Sequence, residues 1–535
     1  MPFDWHNPYP SVRSPLFARN VVATSQPLAA QAGLRMLQRG GNAVDAAIAT
    51  AAAMTIVEPC SNGLGSDNFA ILWDGERLHG LNSSGTAPAA WTREYFLRKH
   101  GESMPMRGWD AVTVPGAVAG WVALSQRFGV LPFGDLLQPA IELAERGFGV
   151  GVVTADKWKN AVPLLQDQPG FRATFMPRGR APTPGERFSM PATGRALRRI
   201  AQTQGEAFYR GDVAAALVAH SAAHGGSMSL ADLAGYAPEW VEPIGMDFAG
   251  HRLHQIPPNG QGIAALMALG MLRHHDLAAH PVDSLASQHL QIEAMKLAFA
   301  DTYRWVADPR AMTEVSAADL LSDAYLAERA RLIDPNRAQA FGSGQPPRGG
   351  TIYLTAADER GMMVSLIQSN YMGFGSGIVV PDVGVSLQNR GHGFTLRAGH
   401  PNVVAPDKRP FHTIIPGFLT RDGKPQMSFG VMGGNMQPQG HLQALVRLLV
   451  HGQQPQAACD APRWKVETGL KVDIEHTMAP ALVEGLRSLG HELAPTPDSY
   501  MDFGSGQFIW RISDDAEDGY VAASDSRRDG QAAGY

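Results

Sequence analysis

Two runs rich in apolar and β-branched residues, Thr351-Ile352-Tyr353-Leu354-Thr355 and Met363-Val364-Ser365-Leu366-Ile367-Gln368-Ser369, flank the charged turn Asp358-Glu359-Arg360-Gly361. That pattern predicts a β-hairpin, around which the rest of the chain is organised. The stretch ahead of it, Gly342-Ser343-Gly344-Gln345-Pro346-Pro347-Arg348, has the composition of a mobile linker. Thr351 therefore stands at the seam between a flexible connection and an ordered strand. A cut before Thr351 would free an α-amine beside its hydroxyl, and an amine of pKa ~8 can act as general base for that hydroxyl. Taken alone, a Gly-Thr pair also reads as a β-branched residue opening a strand.

With 535 residues, the chain is long enough for several domains or one large layered one. Its net charge of -5, with 18% charged residues spread along the sequence, offers no basic stripe for nucleic acid and no acidic tail. A small-molecule partner is expected. Cys60 and Cys459 form no Cys-x-x-Cys or Cys/His set with ligand spacing and read as buried apolar residues, so no metal and no cofactor are expected. The start, Met1-Pro2-Phe3-Asp4-Trp5-His6-Asn7-Pro8, lacks a charged, then apolar leader, and the expected compartment is the cytoplasm.

A helix is predicted from about Pro27 to Gln38, stopped by Gly40-Gly41. Asn42 can cap a second helix, Ala43 to Val57, with Asp45 three residues on. This helix is apolar nearly all round, so it belongs inside the protein, and it is too short for a membrane span. Gly63-Leu64-Gly65-Ser66-Asp67-Asn68 then enters a strand, and Asp74-Gly75 with Leu78 to Asn82 suggests a hairpin return. From Thr113 to about Ala340 the reading is mostly helical, with candidates at Val118 to Arg127, Leu136 to Arg146, Met190 to Gln204, Asp212 to His220, Ala264 to His274 and Ser287 to Val306. Beyond Thr351, strands and glycines dominate. Pro425 to Gly430 reads as a strand, and Gly433-Gly434-Asn435 as a loop before a helix around His441 to Val450. Amides ahead of a helix N-terminus favour negative charge, so Gly433 and Gly434 are candidate oxyanion-hole donors; a turn needing small residues also accounts for them.

Four segments together resemble the γ-glutamyltranspeptidase family of N-terminal nucleophile hydrolases, from about Val21 to about Trp464. They are Gly40-Gly41-Asn42-Ala43-Val44-Asp45-Ala46-Ala47, Met295-Lys296-Leu297-Ala298-Phe299-Ala300-Asp301, the hairpin from Thr351 through Gly375, and Lys408-Arg409-Pro410 with Gly433-Gly434. The resemblance implies an α+β fold, a four-layer αββα sandwich, made as one precursor that cuts itself between Gly350 and Thr351. Residues 1–350 would form a large, mostly helical subunit and residues 351–535 a small, β-rich one carrying the nucleophile, together one layered domain. It also implies that Ser369 stands where the family has a threonine bonded to the nucleophile, and that Gly433 and Gly434 hold the oxyanion. Whether the subunit pair assembles further, for instance as a dimer, is left open.

The substrate-binding positions depart from the family. Ser84 stands where true transpeptidases have an arginine for the glutamyl α-carboxylate, and Gly393 where they have an acid for the α-amine. The serine pair after Lys-Arg-Pro is replaced by His412-Thr413. Losing an anion while gaining Arg390 shifts the pocket by about two charge units toward positive, which suits a carboxylate without a neighbouring ammonium. The motifs resemble more closely the acylase-like branch, with its glutaryl-cephalosporin acylases and oxamate amidohydrolases. The expectation is an amide hydrolase for a small carboxylate-bearing acyl group, γ-glutamyl, glutaryl or oxamate-like, with Arg390, His412 and Thr413 on the carboxylate. An ion pair for Arg390 and a structural role for His412 are the plainer readings. A true glutathione hydrolase/γ-glutamyltransferase, an unprocessed relative acting as a binding protein, and a metal-dependent hydrolase unrelated to Thr351 are the alternatives. No His-Glu-x-x-His motif supports the last.

Overall fold

The computed structural model describes residue 5 and residues 12–341, 350–496 and 503–535. The linker read at Gly342 to Arg348, with Gly349, and nearly all of the start read at Met1 to Pro8 lie outside the described residues.

The predicted hairpin forms, with strands Gly350–Ala357 and Met363–Tyr371 at the centre of a seven-stranded antiparallel sheet. Val21–Thr24 and Gln531–Gly534 flank it on one side, and Asp67–Trp73, Leu78–Ser83 and Glu239–Val241 on the other. A second seven-stranded sheet runs in the order Leu16–Ala18, Tyr520–Ser524, Gly506–Arg511, Lys424–Val431, Gly417–Arg421, His251–Gln255, Ile244–Phe248.

Strand alternation fixes how these sheets stack, because successive side chains point to opposite faces. Ile352, Leu354 and Ala356 join a core beneath the helices Pro27–Gln38 and Ala43–Val57, whereas Tyr353 and Ala357 join a separate core with Phe418, Ile509 and Tyr520 of the second sheet. A third core lies between that second sheet and the helices Gly262–Leu272, Leu285–Trp305 and Met436–Leu445. Helix, sheet, sheet and helix are thus four layers with three apolar seams, the expected αββα sandwich. Every residue of the Ala43–Val57 helix is buried, so packing holds it.

Asn42 caps that helix with Asp45 in a capping box, as its sequence requires. The hairpin turn contributes as well, since Asp358 Oδ2 accepts from Ala43 N at 2.9 Å. Cys60 and Cys459 are free and buried. Among the described residues no helix is long and apolar enough to cross a membrane.

The first 350 residues depart from the sequence reading at several points. Ile244–Phe248 and His251–Gln255 are strands inside a stretch read as helical, reversed at Ala249-Gly250 by φ of 46° and 75°. Val152–Leu165 is an additional helix whose β-branched start gives no local signal. Its first amides, Val153 N and Thr154 N, donate instead to the carboxylate of Asp529, a tertiary cap from the far end of the chain. Both sheets therefore mix strands from before and after Thr351, so a cut there would leave the two pieces interleaved.

Candidate active site

Thr351 follows the alternation of its strand and faces the seam between the two sheets, where it is 1% exposed. Strand register slips between Gly350, opposite Tyr371, and Ile352, opposite Gln368. Ser369 and Asn370 therefore face the single residue Thr351, a bulge of the kind that re-aims side chains. Its result is a contact of 3.2 Å between Thr351 Oγ1 and Ser369 Oγ, while Ser369 Oγ also accepts from Tyr371 N at 2.8 Å.

The loop Gly433-Gly434-Asn435 joins the strand Lys424–Val431 to the helix Met436–Leu445, which begins five residues earlier than the expected His441. Gly433 and Gly434 have φ of 117° and 61°, conformations in which a side chain is strained. A Cβ on Gly433 would also lie 3.0 Å from Gly504 Cα. Among the described residues neither Gly433 N nor Gly434 N has a hydrogen-bond acceptor. Gln437, the second residue of that helix, donates its own amide to Gly434 O at 3.3 Å and brings its side-chain Nε2 to 3.4 Å from Thr351 Oγ1. Sequence reasoning missed Gln437, since its only signal is its place one turn beyond the glycine pair.

Arg390 opens a short helical turn, Arg390–Gly393, and is 1% exposed. Its Nη1 donates to Thr413 Oγ1 at 2.8 Å, and its guanidinium lies 4.7 Å from the centre of the Tyr371 ring. Nε and Nη2 have no partner among the described residues. Burial pulls its pKa down to about 10, which leaves it a cation at neutral pH. A buried donor without an acceptor costs ~1–3 kcal/mol, and more when charged, which makes this guanidinium a candidate for binding an anion. Tyr371 links it to Thr351, because the ring beneath Arg390 belongs to the residue whose amide donates to Ser369, the partner of Thr351.

His412, expected either on the substrate carboxylate or in a structural role, is bonded through its ring within the protein. Its Nε2 donates to Asp67 Oδ2 at 3.1 Å and its Nδ1 accepts from Ile414 N at 3.4 Å, so both ring nitrogens are committed. Burial and the nearby Arg390 keep the ring neutral, well below the usual histidine range. Asp67, which reads in sequence only as part of a glycine loop entering a strand, is fully buried, accepts from Gly116 N at 3.1 Å, and is also bonded by Gly85 N. Burial pushes its carboxyl up to about 6, against the pull of Arg390 and the two amides.

Ser84 and Gly393 occupy the positions where the family's arginine and acid are absent. Ser84 Oγ donates to Asn82 Oδ1 at 2.7 Å and offers no positive charge. A Cβ on Gly393 would stand 2.7 Å from Phe411 O, so an acidic side chain has no room there.

A family model described as gamma-glutamyltranspeptidase matches residues 29–535, extending the likeness past Trp464. The chain is 34% identical over 533 residues to the glutathione hydrolase-like YwrD proenzyme of Bacillus subtilis, covering 98% of this chain and 99% of that one. It is 35% identical over 524 residues to the oxamate amidohydrolase proenzyme of Klebsiella pneumoniae, covering 95% and 97%. Among solved structures, cephalosporin acylase from Bacillus halodurans superposes with a TM-score of 0.95 at 46% identity, covering 100% of this chain and 99% of that one.

Proposed function

Since the chain belongs to the γ-glutamyltranspeptidase family and is an amide hydrolase of the N-terminal nucleophile type, we propose that it cuts itself between Gly350 and Thr351 and then hydrolyses amides of a small acyl group bearing a carboxylate but no adjacent ammonium. Residues 1–350 and 351–535 are the two subunits of this reading. The observation that carries the substrate class is the buried Arg390 guanidinium, whose Nε and Nη2 have no partner among the described residues.

Processing begins when the Thr351 hydroxyl attacks the Gly350 carbonyl and an ester replaces the peptide bond. The Thr351 amine is freed as that C–N bond breaks, and water then hydrolyses the ester, releasing the Gly350 carboxylate and restoring the Thr351 hydroxyl. That amine, with pKa ~8, takes the hydroxyl proton for the next attack. Ser369 and Gln437 hold Oγ1 in place at 3.2 and 3.4 Å. The substrate carboxylate meets Arg390, Thr413 buttresses that guanidinium, and the amides of Gly433 and Gly434 receive the charge that develops on the carbonyl oxygen. The amine product leaves with the proton, and water releases the acyl group from the threonine ester.

A γ-glutamyl donor fits this pocket less well. Its ammonium would lie beside a guanidinium, and the oxygens of Asp67, the carboxylate paired with His412, are already taken up by Gly85, Gly116 and His412. Release of amine or ammonia from oxamate, a glutaryl amide and a γ-glutamyl amide at equal concentration tests the substrate class. Preference for the ammonium-free acids is expected, and turnover of γ-glutamyl amides alone would overturn it.

A further inference from the structure

The loop Asn259-Gly260-Gln261 lies just ahead of the buried helix Gly262–Leu272, and none of the roles assigned above falls on it. It runs alongside the segment that carries Thr413. His412 N donates to Asn259 O at 3.0 Å, Gln261 N donates to His412 O at 2.9 Å, and Asn259 Nδ2 donates to Pro410 O at 2.8 Å. Gly260 and His412 form a parallel bridge between the two segments. These bonds anchor the loop without the side chain of Gln261.

That side chain joins two parts of the site. Gln261 is fully buried, and its Nε2 donates to Thr413 O at 2.6 Å and to Gly434 O at 2.8 Å. An amide nitrogen carries two protons, so each carbonyl takes one. Its Oε1 has no partner among the described residues, an unfavourable state for a buried acceptor that the two donated bonds offset. Thr413 is the residue whose hydroxyl accepts from Arg390 Nη1 at 2.8 Å, and Gly434 belongs to the glycine pair ahead of the helix Met436–Leu445. The carbonyl oxygens of Thr413 and Gly434 therefore lie within two hydrogen bonds of each other. One side chain thus ties the wall that holds the guanidinium to the loop that presents the glycine amides. Gln437 makes a second joint between the same segments, its Oε1 accepting from Ile415 N at 2.9 Å. Gln261 is the joint that comes from the chain ahead of Thr351.

We propose that Gln261 is a positioning residue that sets the spacing between the Arg390 guanidinium and the amides of Gly433 and Gly434, and through it the acyl length this enzyme prefers. It rests on the reading that a substrate carboxylate meets Arg390 while the carbonyl of the same acyl group meets the glycine amides. An acyl group held at both ends has its length measured. With one methylene too few or too many, its carbonyl misses either the amides or the Thr351 hydroxyl, and a misplacement of ~1 Å can cost ~100-fold in rate. A neutral acyl group, held at its carbonyl end alone, is not measured in this way.

The test compares kcat/KM of the cleaved protein in wild type, Gln261→Met and Gln261→Glu on oxamate, malonamate, succinamate and glutaramate, with butyramide as the neutral acyl amide. Met keeps the volume without a donor, and Glu keeps the shape with at most one proton for the two carbonyls. Wild type is expected to favour one acid over its neighbours in length by about tenfold or more. In both variants that preference should shrink to within about threefold, with butyramide changed by less than about threefold. Gln261→Glu decides the matter if Gln261→Met does not fold. An acid series flat in wild type, a preference unchanged in the variants, or a loss as large on butyramide as on the acids would overturn the role of Gln261 alone. So would a folded variant that no longer cuts itself, because the acyl group ending at Gly350 has no carboxylate to measure. A wild type that turns over butyramide as readily as the acids would remove the reading of Arg390, and this one with it.

Discussion

Gln437 reaches the Thr351 hydroxyl from the segment that carries the glycine pair, with Nε2 at 3.4 Å from Oγ1 and its amide on Gly434 O. Gln437 and the glycine pair thus stand together at the start of a helix whose residues Met436 to Leu445 are all buried.

Replacing Gln437 by Leu keeps the volume and removes the donor. A fall in kcat of about 10- to 100-fold with little change in KM is expected, since the contact matters most when charge develops at the reacting centre. Steady-state kinetics on the mature enzyme measure it. An unchanged kcat would take Gln437 out of the site.

Arg390→Ala should act on the substrate carboxylate. Losing one partner of a buried charge pair costs ~2–5 kcal/mol, so kcat/KM for a carboxylate-bearing amide should fall by at least ~30-fold. A neutral acyl amide of the same length should lose far less. Arg390→Lys is expected to recover only part of the loss, because an ammonium cannot present the guanidinium's planar fork. Titrating both substrates against the three proteins separates recognition from misfolding.

Asp67 predicts a pH dependence of stability. Its carboxyl is raised from 3.8 to about 6, so the folded chain binds this proton more tightly than the unfolded chain does. Ionising it therefore costs stability, a cost absent below 3.8 and fully present above about 6. Urea unfolding of the uncleaved Thr351→Ala chain should become easier between those limits as pH rises, relative to Thr351→Ala carrying Asp67→Asn as well. Parallel curves for the two would contradict it.

Much of this architecture is written locally. The hairpin, the Asn42–Asp45 cap and the glycine pair before a helix follow from alternation, capping chemistry and φ preference, and each is found where the sequence puts it. Arg390 and Thr413 were named together and are bonded. What stayed hidden is long-range. Asp67 pairs with His412 across 345 residues, Asp529 caps a helix across 376, and His491 meets Lys296 across 195. No window on a sequence reports such contacts. For His412 the sequence leaves a place on the substrate carboxylate and a structural role both open, and its contact with Asp67, a buried carboxylate from another strand, lies beyond any local signal.

The most direct test of the account is intact and N-terminal mass analysis of the purified chain after incubation, beside Thr351→Ala. Two fragments, residues 1–350 and 351–535 with Thr351 at the new N-terminus, are predicted for the wild type, and a single uncut chain without amidase activity for the variant. A wild-type chain that stays whole while hydrolysing amides would contradict it.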